Sequence, residues 1–156
     1  MDDEPVWLPP ELHCRHLIVC RTIWFDPAKP EDDFSLGRLV VRLTAESADR
    51  FPLRVARLFL FAQLFGTPDE YRVFFRLARI DRDDLGEEVE VPLGRDGKPL
   101  EFRLPRPVVV SGLQLVEAFA VPLTDVTFPE PGLYEFQLWR DDGDEPITAE
   151  RLEVFA

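Results

Sequence analysis

Carboxylates cluster in this chain at three places. Asp81, Asp83 and Asp84 fall in one predicted turn, Asp141, Asp142, Asp144 and Glu145 in another, and Asp26, Glu31, Asp32 and Asp33 in a third. Oxygen-rich sets suit Ca2+, which takes about 6–8 oxygen ligands at roughly 2.3–2.6 Å. If every connection reverses the chain, alternate turns share one end of the fold. The first two clusters then converge, and the 26–33 loop lies at the opposite end. On that reading Asp81, Asp83, Asp84, Asp141, Asp142 and Asp144 are the candidate Ca2+ ligands. The competing reading is that aspartate is a turn former and a solubiliser. Paired carboxylates also hydrolyse glycosides, but the sequence offers no aromatic-lined cleft to accompany them.

Other chemistry is poorly supplied. His13, Cys14, His16 and Cys20 are the only soft-ligand cluster. On an extended strand Cys20 lies ~13 Å beyond His16, too far to complete a zinc tetrahedron. The two cysteines are about 20 Å apart on the same strand, out of disulfide reach. Ser35, Ser47 and Ser111 have neither a nucleophile-elbow context nor a nearby histidine, so no triad is expected. Gly94-Arg95-Asp96-Gly97-Lys98-Pro99 lacks the spacing and hydroxyl of a phosphate loop. The residues therefore predict no enzyme and no obligate cofactor. Trp139, Trp24 and Trp7 are candidates for a row of exposed aromatics that binds sugar rings or a protein. Arg38, Arg42, Arg72 and Arg76 are candidates for a local basic stripe.

The elements that position these residues are strands. The run Gly132-Leu133-Tyr134-Glu135-Phe136-Gln137-Leu138-Trp139 alternates with period two, placing Tyr134, Phe136 and Leu138 on one face and Glu135, Gln137 and Trp139 on the other. Pro131-Gly132 opens it and the Asp/Gly cluster after Arg140 closes it, so Ile147–Phe155 returns as a hairpin. Earlier, His16–Trp24 reads as a strand buried on both faces. Ser35–Thr44 reads as a second strand with Leu39, Val41 and Leu43 inward. Residues 52–65 are apolar all round and fit either a helix with Pro52 in its first turn or a strand. The strand, from about Val55 to Phe65, is preferred, paired across Gly66-Thr67-Pro68-Asp69 with Glu70–Ile80. Glu88–Pro92 and Leu100–Leu104 are expected to form a small hairpin across Asp96-Gly97. Val108–Val110 and Leu113–Val121 follow, with a break near Gly112, and Thr124–Pro131 leads into the terminal hairpin.

These elements predict an all-β fold, a two-sheet antiparallel sandwich of about eight or nine strands. The 156 residues form one domain, 1–156, with an acidic, Pro-containing lead-in over 1–12 that Trp7 and Leu8 could pin down. Net charge is −12, from 30 acidic and 18 basic residues. That balance argues against nucleic acid and against an anionic membrane as partners. The N-terminus lacks the apolar stretch of a secretory signal, no run is long and apolar enough to span a membrane, and free thiols suit a reducing compartment. The expected location is the cytoplasm.

Pro-Gly-x-Tyr-x-Phe-x-Leu-Trp, preceded by Val126-Thr127-Phe128-Pro129 and followed by Asp-Gly and an alternating last strand, resembles the C-terminal half of a family of bacterial immunoglobulin-like proteins of unassigned function. The front half is similar too, in Cys20, Asp26-Pro27, Ser35-Leu36 and Phe51-Pro52. The resemblance covers roughly residues 14–156 and implies an immunoglobulin-like sandwich, with Tyr134 at the place of a tyrosine corner. It brings no catalytic residue with it. Together these readings predict a non-enzymatic module that binds another protein, with a Ca2+- or small-ligand-binding module as the alternative.

Overall fold

The computed structural model describes residues 10–25, 34–111 and 116–156, with the side chains of Phe25 and Phe34 excepted. Trp7, Leu8, the 26–33 loop and the expected break at Gly112 lie outside the described residues. The fold is all-β. Twelve strands are described: β1 (Leu12–Phe25), β2 (Phe34–Leu39), β3 (Arg42–Thr44), β4 (Leu53–Gly66), β5 (Asp69–Tyr71), β6 (Val73–Arg82), β7 (Glu88–Pro92), β8 (Leu100–Arg103), β9 (Val108–Val110), β10 (Glu117–Phe128), β11 (Gly132–Arg140) and β12 (Thr148–Phe155). Among the described residues no helix is long and apolar enough to cross a membrane.

One sheet has the order β10-β4-β1-β2 and another β3-β12-β11-β6-β7, with β8 also on β6; β5 and β9 form a separate ribbon. A single buried cluster takes side chains from both larger sheets, including Val19, Leu58, Leu60 and Leu64 from one and Phe75, Leu77, Tyr134, Phe136, Leu138 and Leu152 from the other. Two ring contacts bridge them: Phe75 with Phe119 at 6.2 Å, and Phe128 edge-on to Tyr134 at 4.9 Å. Edge-to-face packing at this distance is a favoured aromatic geometry.

The strand reading of residues 52–65 is correct. β4 lies between β1 and β10 and pairs with both. It is a central strand, with Leu58, Leu60, Ala62 and Leu64 fully buried on alternate positions and Phe59, Gln63 and Phe65 half-buried on the other face. The terminal hairpin also forms as read, in the register Gly132↔Val154 to Leu138↔Thr148.

Four pairing expectations fail. β4 and β6 belong to different sheets, so Gly66–Asp69 is a crossing and not a hairpin turn. Gly66 sits where a Cβ would meet the Glu11 carbonyl oxygen at 2.1 Å, with φ 153. Thr67 N–H donates to that same carbonyl at 2.9 Å, which ties the crossing to the start of β1.

β7 and β8 do not pair with each other. β7 lies along Ala78–Arg82 and β8 along Phe74–Leu77, both antiparallel to β6. They are one interrupted strand, and the Asp96-Gly97 turn closes a protruding loop. Gly94 N–H bonds to the Lys98 carbonyl at 2.8 Å across its neck.

The Ser35–Thr44 strand breaks in two. β2 stays with β1, while β3 crosses to the other sheet and pairs parallel with β12, so the fold is not wholly antiparallel. Val40 and Leu43 are buried while Leu39 and Val41 are exposed. Arg38, at φ 55, resets the alternation just before the crossing. A one-residue slip exchanges the faces of a strand, and that is the error in placing Leu39 and Val41 inward. Finally, β10 runs on through Phe128, so Thr124–Phe128 is strand and not connection.

Candidate functional site

The two acidic turns do not converge. In the β6/β11 register, Leu133 faces Ile80 and Arg140 faces Val73. Asp141 N–H donates to the Arg72 carbonyl at 2.9 Å. Asp81 lies at the other end of β6, about 30 Å away at ~3.3 Å per residue. The expected convergence needed a reversal between β7 and β8. They run on in one direction, and losing that reversal sends the two turns to opposite ends.

Each carboxylate is directed locally instead. Asp81 accepts from Arg79 at 2.9 Å. Asp83 Oδ1 accepts the N–H groups of Leu85 and Glu87, both at 2.9 Å, which builds the turn. Asp84 and Asp144 are exposed. Asp141 accepts from Arg103 at 2.6 Å, and Asp142 takes both Nε and Nη2 of Arg140 at 3.0 and 3.1 Å. Among the described residues no group of three or more His, Cys, Asp or Glu is placed to hold a metal ion. The six residues read as Ca2+ ligands are thus divided between the two ends of β6.

His13 and His16 are exposed, Cys14 is half-buried and Cys20 is buried; both thiols are free. A register irregularity between Cys14 and His16 turns the Cys14 Sγ toward the His16 carbonyl at 3.2 Å. Burial pushes both thiols above their ordinary value, so neither is an activated nucleophile.

Trp139 and Trp24, the two tryptophans among the described residues, lie on different sheets. Trp139 is half-buried on the six-stranded sheet, stacked on Phe74 at 6.2 Å, with the Arg76 guanidinium 4.4 Å above its ring. Its indole N–H donates to Gln137 Oε1 at 2.9 Å. Trp24 is exposed on the other sheet. The expected arginine stripe is likewise split: Arg42 pairs with Glu153 at 3.5 Å and Arg76 with Glu101 at 3.0 Å, while Arg38 lies on β2 and Arg72 ahead of β6.

The outer face of the six-stranded sheet carries a polar network. Gln137 is fully buried there, donating to Glu90 and Glu135. Arg151 grips Glu88 with both Nη groups and Glu135 with Nε. A hollow of about 300 Å³ lies at one end of the sheet, lined by Glu70, Tyr71, Arg72, Arg140, Asp141 and Asp142. The Arg140 guanidinium beside it is fully engaged, by Asp142, by the Pro10 carbonyl at 2.7 Å and by the Tyr71 ring.

Among the described residues, the edge of the four-stranded sheet has no further strand beside it. β2 is its terminal strand, paired with β1 alone from Cys20↔Leu39 to Phe25↔Phe34. Two large apolar side chains are more than half exposed along this ribbon, Trp24 at 65% and Leu39 at 61%; Val41, at 68%, lies just past it at the crossing, where its carbonyl accepts from Glu153 N–H of β12. Trp24 lies against Gly37, where an added Cβ would stand 3.5 Å from its ring. The period-two pattern over Ser35–Thr44 conceals this ribbon. The available signal was Gly37-Arg38 in mid-run, a place where a strand bends.

No family model matches the chain, and no curated protein matches it. Among solved structures it is similar to a Pseudomonas fluorescens alkylpurine DNA glycosylase bound to DNA containing an abasic-site analogue, at 16% identity and a TM-score of 0.47, over 94% of this chain and 31% of that one. It is also similar to a Niemann-Pick type C2 protein from Japanese carpenter ant, at 13% identity and a TM-score of 0.43, over 95% and 96% of the two chains. The chain thus spans about a third of the length of the glycosylase. Both scores are too low to carry an argument about what this protein does.

Proposed function

We propose that this protein is a non-enzymatic protein-binding module, a cytoplasmic immunoglobulin-like β-sandwich of the bacterial family that its terminal hairpin resembles. The observation that carries the binding reading is the edge ribbon. Of the seven large hydrophobic residues exposed among the described ones, Trp24 and Leu39 fall on the β1/β2 ribbon, whose outer strand has no further neighbour described, and Val41 lies at the crossing that follows it. Exposed apolar groups gathered at one place mark interaction surfaces, and an open edge offers a row of backbone hydrogen bonds to a partner. The sandwich reading is supported by one core shared between two sheets, and by Tyr134 bonding back to the Glu130 carbonyl.

The test is quantitative affinity capture from native extract with the wild-type chain and with Leu39→Asp/Val41→Asp. Both residues are exposed, so the variant should fold. The expected result is a partner recovered near equal stoichiometry by the wild type and lost by the variant. Absence of a stoichiometric partner, or equal recovery by both chains, would count against the reading.

A further inference from the structure

Arg21 and Arg38 lie on the neighbouring strands β1 and β2. The register runs through Cys20↔Leu39 and Thr22↔Gly37, which brackets Arg21 on one strand and Arg38 on the other. Both are exposed. Neither takes part in any ion pair among the described residues, although the chain carries 30 acidic residues against 18 basic ones.

Backbone strain falls at the same position. Three non-glycine residues among those described have positive φ: Arg38, Asp96 and Asp125. Aspartate tolerates the left-handed region through its short polar side chain, and arginine has no such compensation. Two unpaired arginines and a strained residue thus coincide on the outer ribbon of the sheet, flanked by Leu39 and Trp24. Strain observed at one place in a fold is a pointer to function.

We propose that the free edge of β2 docks an extended acidic segment of another protein, with its carboxylates at Arg21 and Arg38 and an apolar side chain over Leu39. This rests on the binding-module reading and names the partner's chemistry. An extended peptide fits because it adds a strand to the edge and alternates its side chains in step with β2. Carboxylates fit because guanidinium groups bind them through paired hydrogen bonds. A nucleic acid fits less well, since its continuous charge would extend past two arginines into the field of a chain at −12.

The experiment uses the full chain and an end-capped, fluorescein-labelled peptide of alternating glutamate and valine, read by anisotropy. A lysine–valine peptide and a single-stranded oligonucleotide of the same charge serve as comparisons. The glutamate peptide should bind the wild type at least about tenfold more tightly than either. Arg21→Gln/Arg38→Gln should weaken it by about tenfold or more. The same variant should melt no lower than the wild type, because both side chains are exposed. Arg21→Lys/Arg38→Lys, a second folded control, should retain most of the affinity. No binding of the glutamate peptide, binding unchanged in Arg21→Gln/Arg38→Gln, or an oligonucleotide that binds equally well would each overturn the proposal. A partner captured from extract by the wild type and equally by Arg21→Gln/Arg38→Gln would overturn it too, while leaving the binding-module reading intact.

Discussion

The Tyr134 hydroxyl donates to the carbonyl of Glu130, four residues upstream, at 2.6 Å. The ring is wholly buried edge-on against Phe128, so the bond fastens the entry of β11 to the core. Tyr71, the other tyrosine of the chain, repeats the arrangement by donating to the Thr67 carbonyl, also four residues upstream, at 2.5 Å. The two tyrosines pin the approaches to β11 and to β6, which are neighbours in one sheet.

Replacing Tyr134 with Phe keeps the ring and removes the bond. The expected loss is about 1–2 kcal/mol in urea denaturation at neutral pH, the range for a hydrogen bond lost from a part-buried carbonyl. Burial pushes the hydroxyls of Tyr134 and Tyr71 above their ordinary value near 10. The folded state therefore holds these protons more tightly than the unfolded one. The stability this represents is intact below pH 10 and is lost as pH rises through the folded values. The wild type should show a falling melting midpoint above pH 10, and Tyr134→Phe a shallower fall. An identical alkaline slope in both chains would separate Tyr134 from it.

Gln137 is the buried polar side chain of the six-stranded sheet. Its amide serves Glu90, Glu135 and Trp139 together. Gln137→Ala strips a partner from all three; Glu90 is exposed and Glu135 keeps Arg151, so the unsatisfied group is the Trp139 indole N–H, at about 1–3 kcal/mol, and truncating a fully buried side chain adds a cavity cost. The expected total is about 2–4 kcal/mol by urea denaturation, accompanied by a change in Trp139 fluorescence. A loss within about 0.5 kcal/mol would mean that water replaces the amide without cost.

Glu88 is held by both Nη groups of Arg151, and that pairing lowers its carboxyl below the ordinary value near 4.5. A depressed carboxylate contributes stability that is present above its unfolded value and lost as pH falls through the folded one. Glu88→Gln should therefore melt below the wild type at pH 7, with the gap closing as pH is lowered past 4.5. A gap that persists unchanged at pH 3 would assign the effect to packing and not to charge.

How much of this was legible in the sequence depends on the range of the interaction. Tyr134, Phe136 and Leu138 announce a buried face because period two is local, and all three are fully buried. β4 was readable as a strand because its apolar residues surround a helix and no single stripe results. Partner choice was not readable. Glu88–Pro92 and Leu100–Leu104 flank a strong Asp-Gly turn signal, and both strands exist, yet each finds β6 in place of the other. The turn residues specify a bend, and only the long-range β6 edge decides what the bend connects. The outer ribbon at Leu39 was hidden for a related reason. Arg38 adopts a backbone conformation that its residue type does not favour, so the pattern beyond it was read one residue out of phase.

Gly66 tests the crossing between the sheets. A Cβ there would stand 2.1 Å from the Glu11 carbonyl oxygen, a backbone atom that also accepts from Thr67 N–H. Gly66→Ala must displace the start of β1 or the end of β4, and its φ of 153 adds strain for any side chain. A loss of about 2–4 kcal/mol is expected. If the variant is as stable as the wild type, the close approach of Glu11 to Gly66 is not a constraint of the folded protein.

Calcium tests the corrected placement of the acidic turns. Had Asp81, Asp83, Asp84, Asp141, Asp142 and Asp144 converged, Ca2+ at 100 times its Kd would add about 2.7 kcal/mol of stability. For a domain of this length that raises the melting midpoint by roughly 5–10 °C. With the turns at opposite ends of β6, and Asp81, Asp83, Asp141 and Asp142 already bonded to arginines or to backbone N–H groups, no such site is assembled. The midpoint in millimolar Ca2+ should match that in EDTA to within about 1 °C at constant ionic strength. A rise of several degrees, abolished by Asp83→Asn together with Asp142→Asn, would require both turns at one ion. That outcome is incompatible with the β6/β11 register Arg140↔Val73 and would overturn the strand order from which the edge ribbon is read.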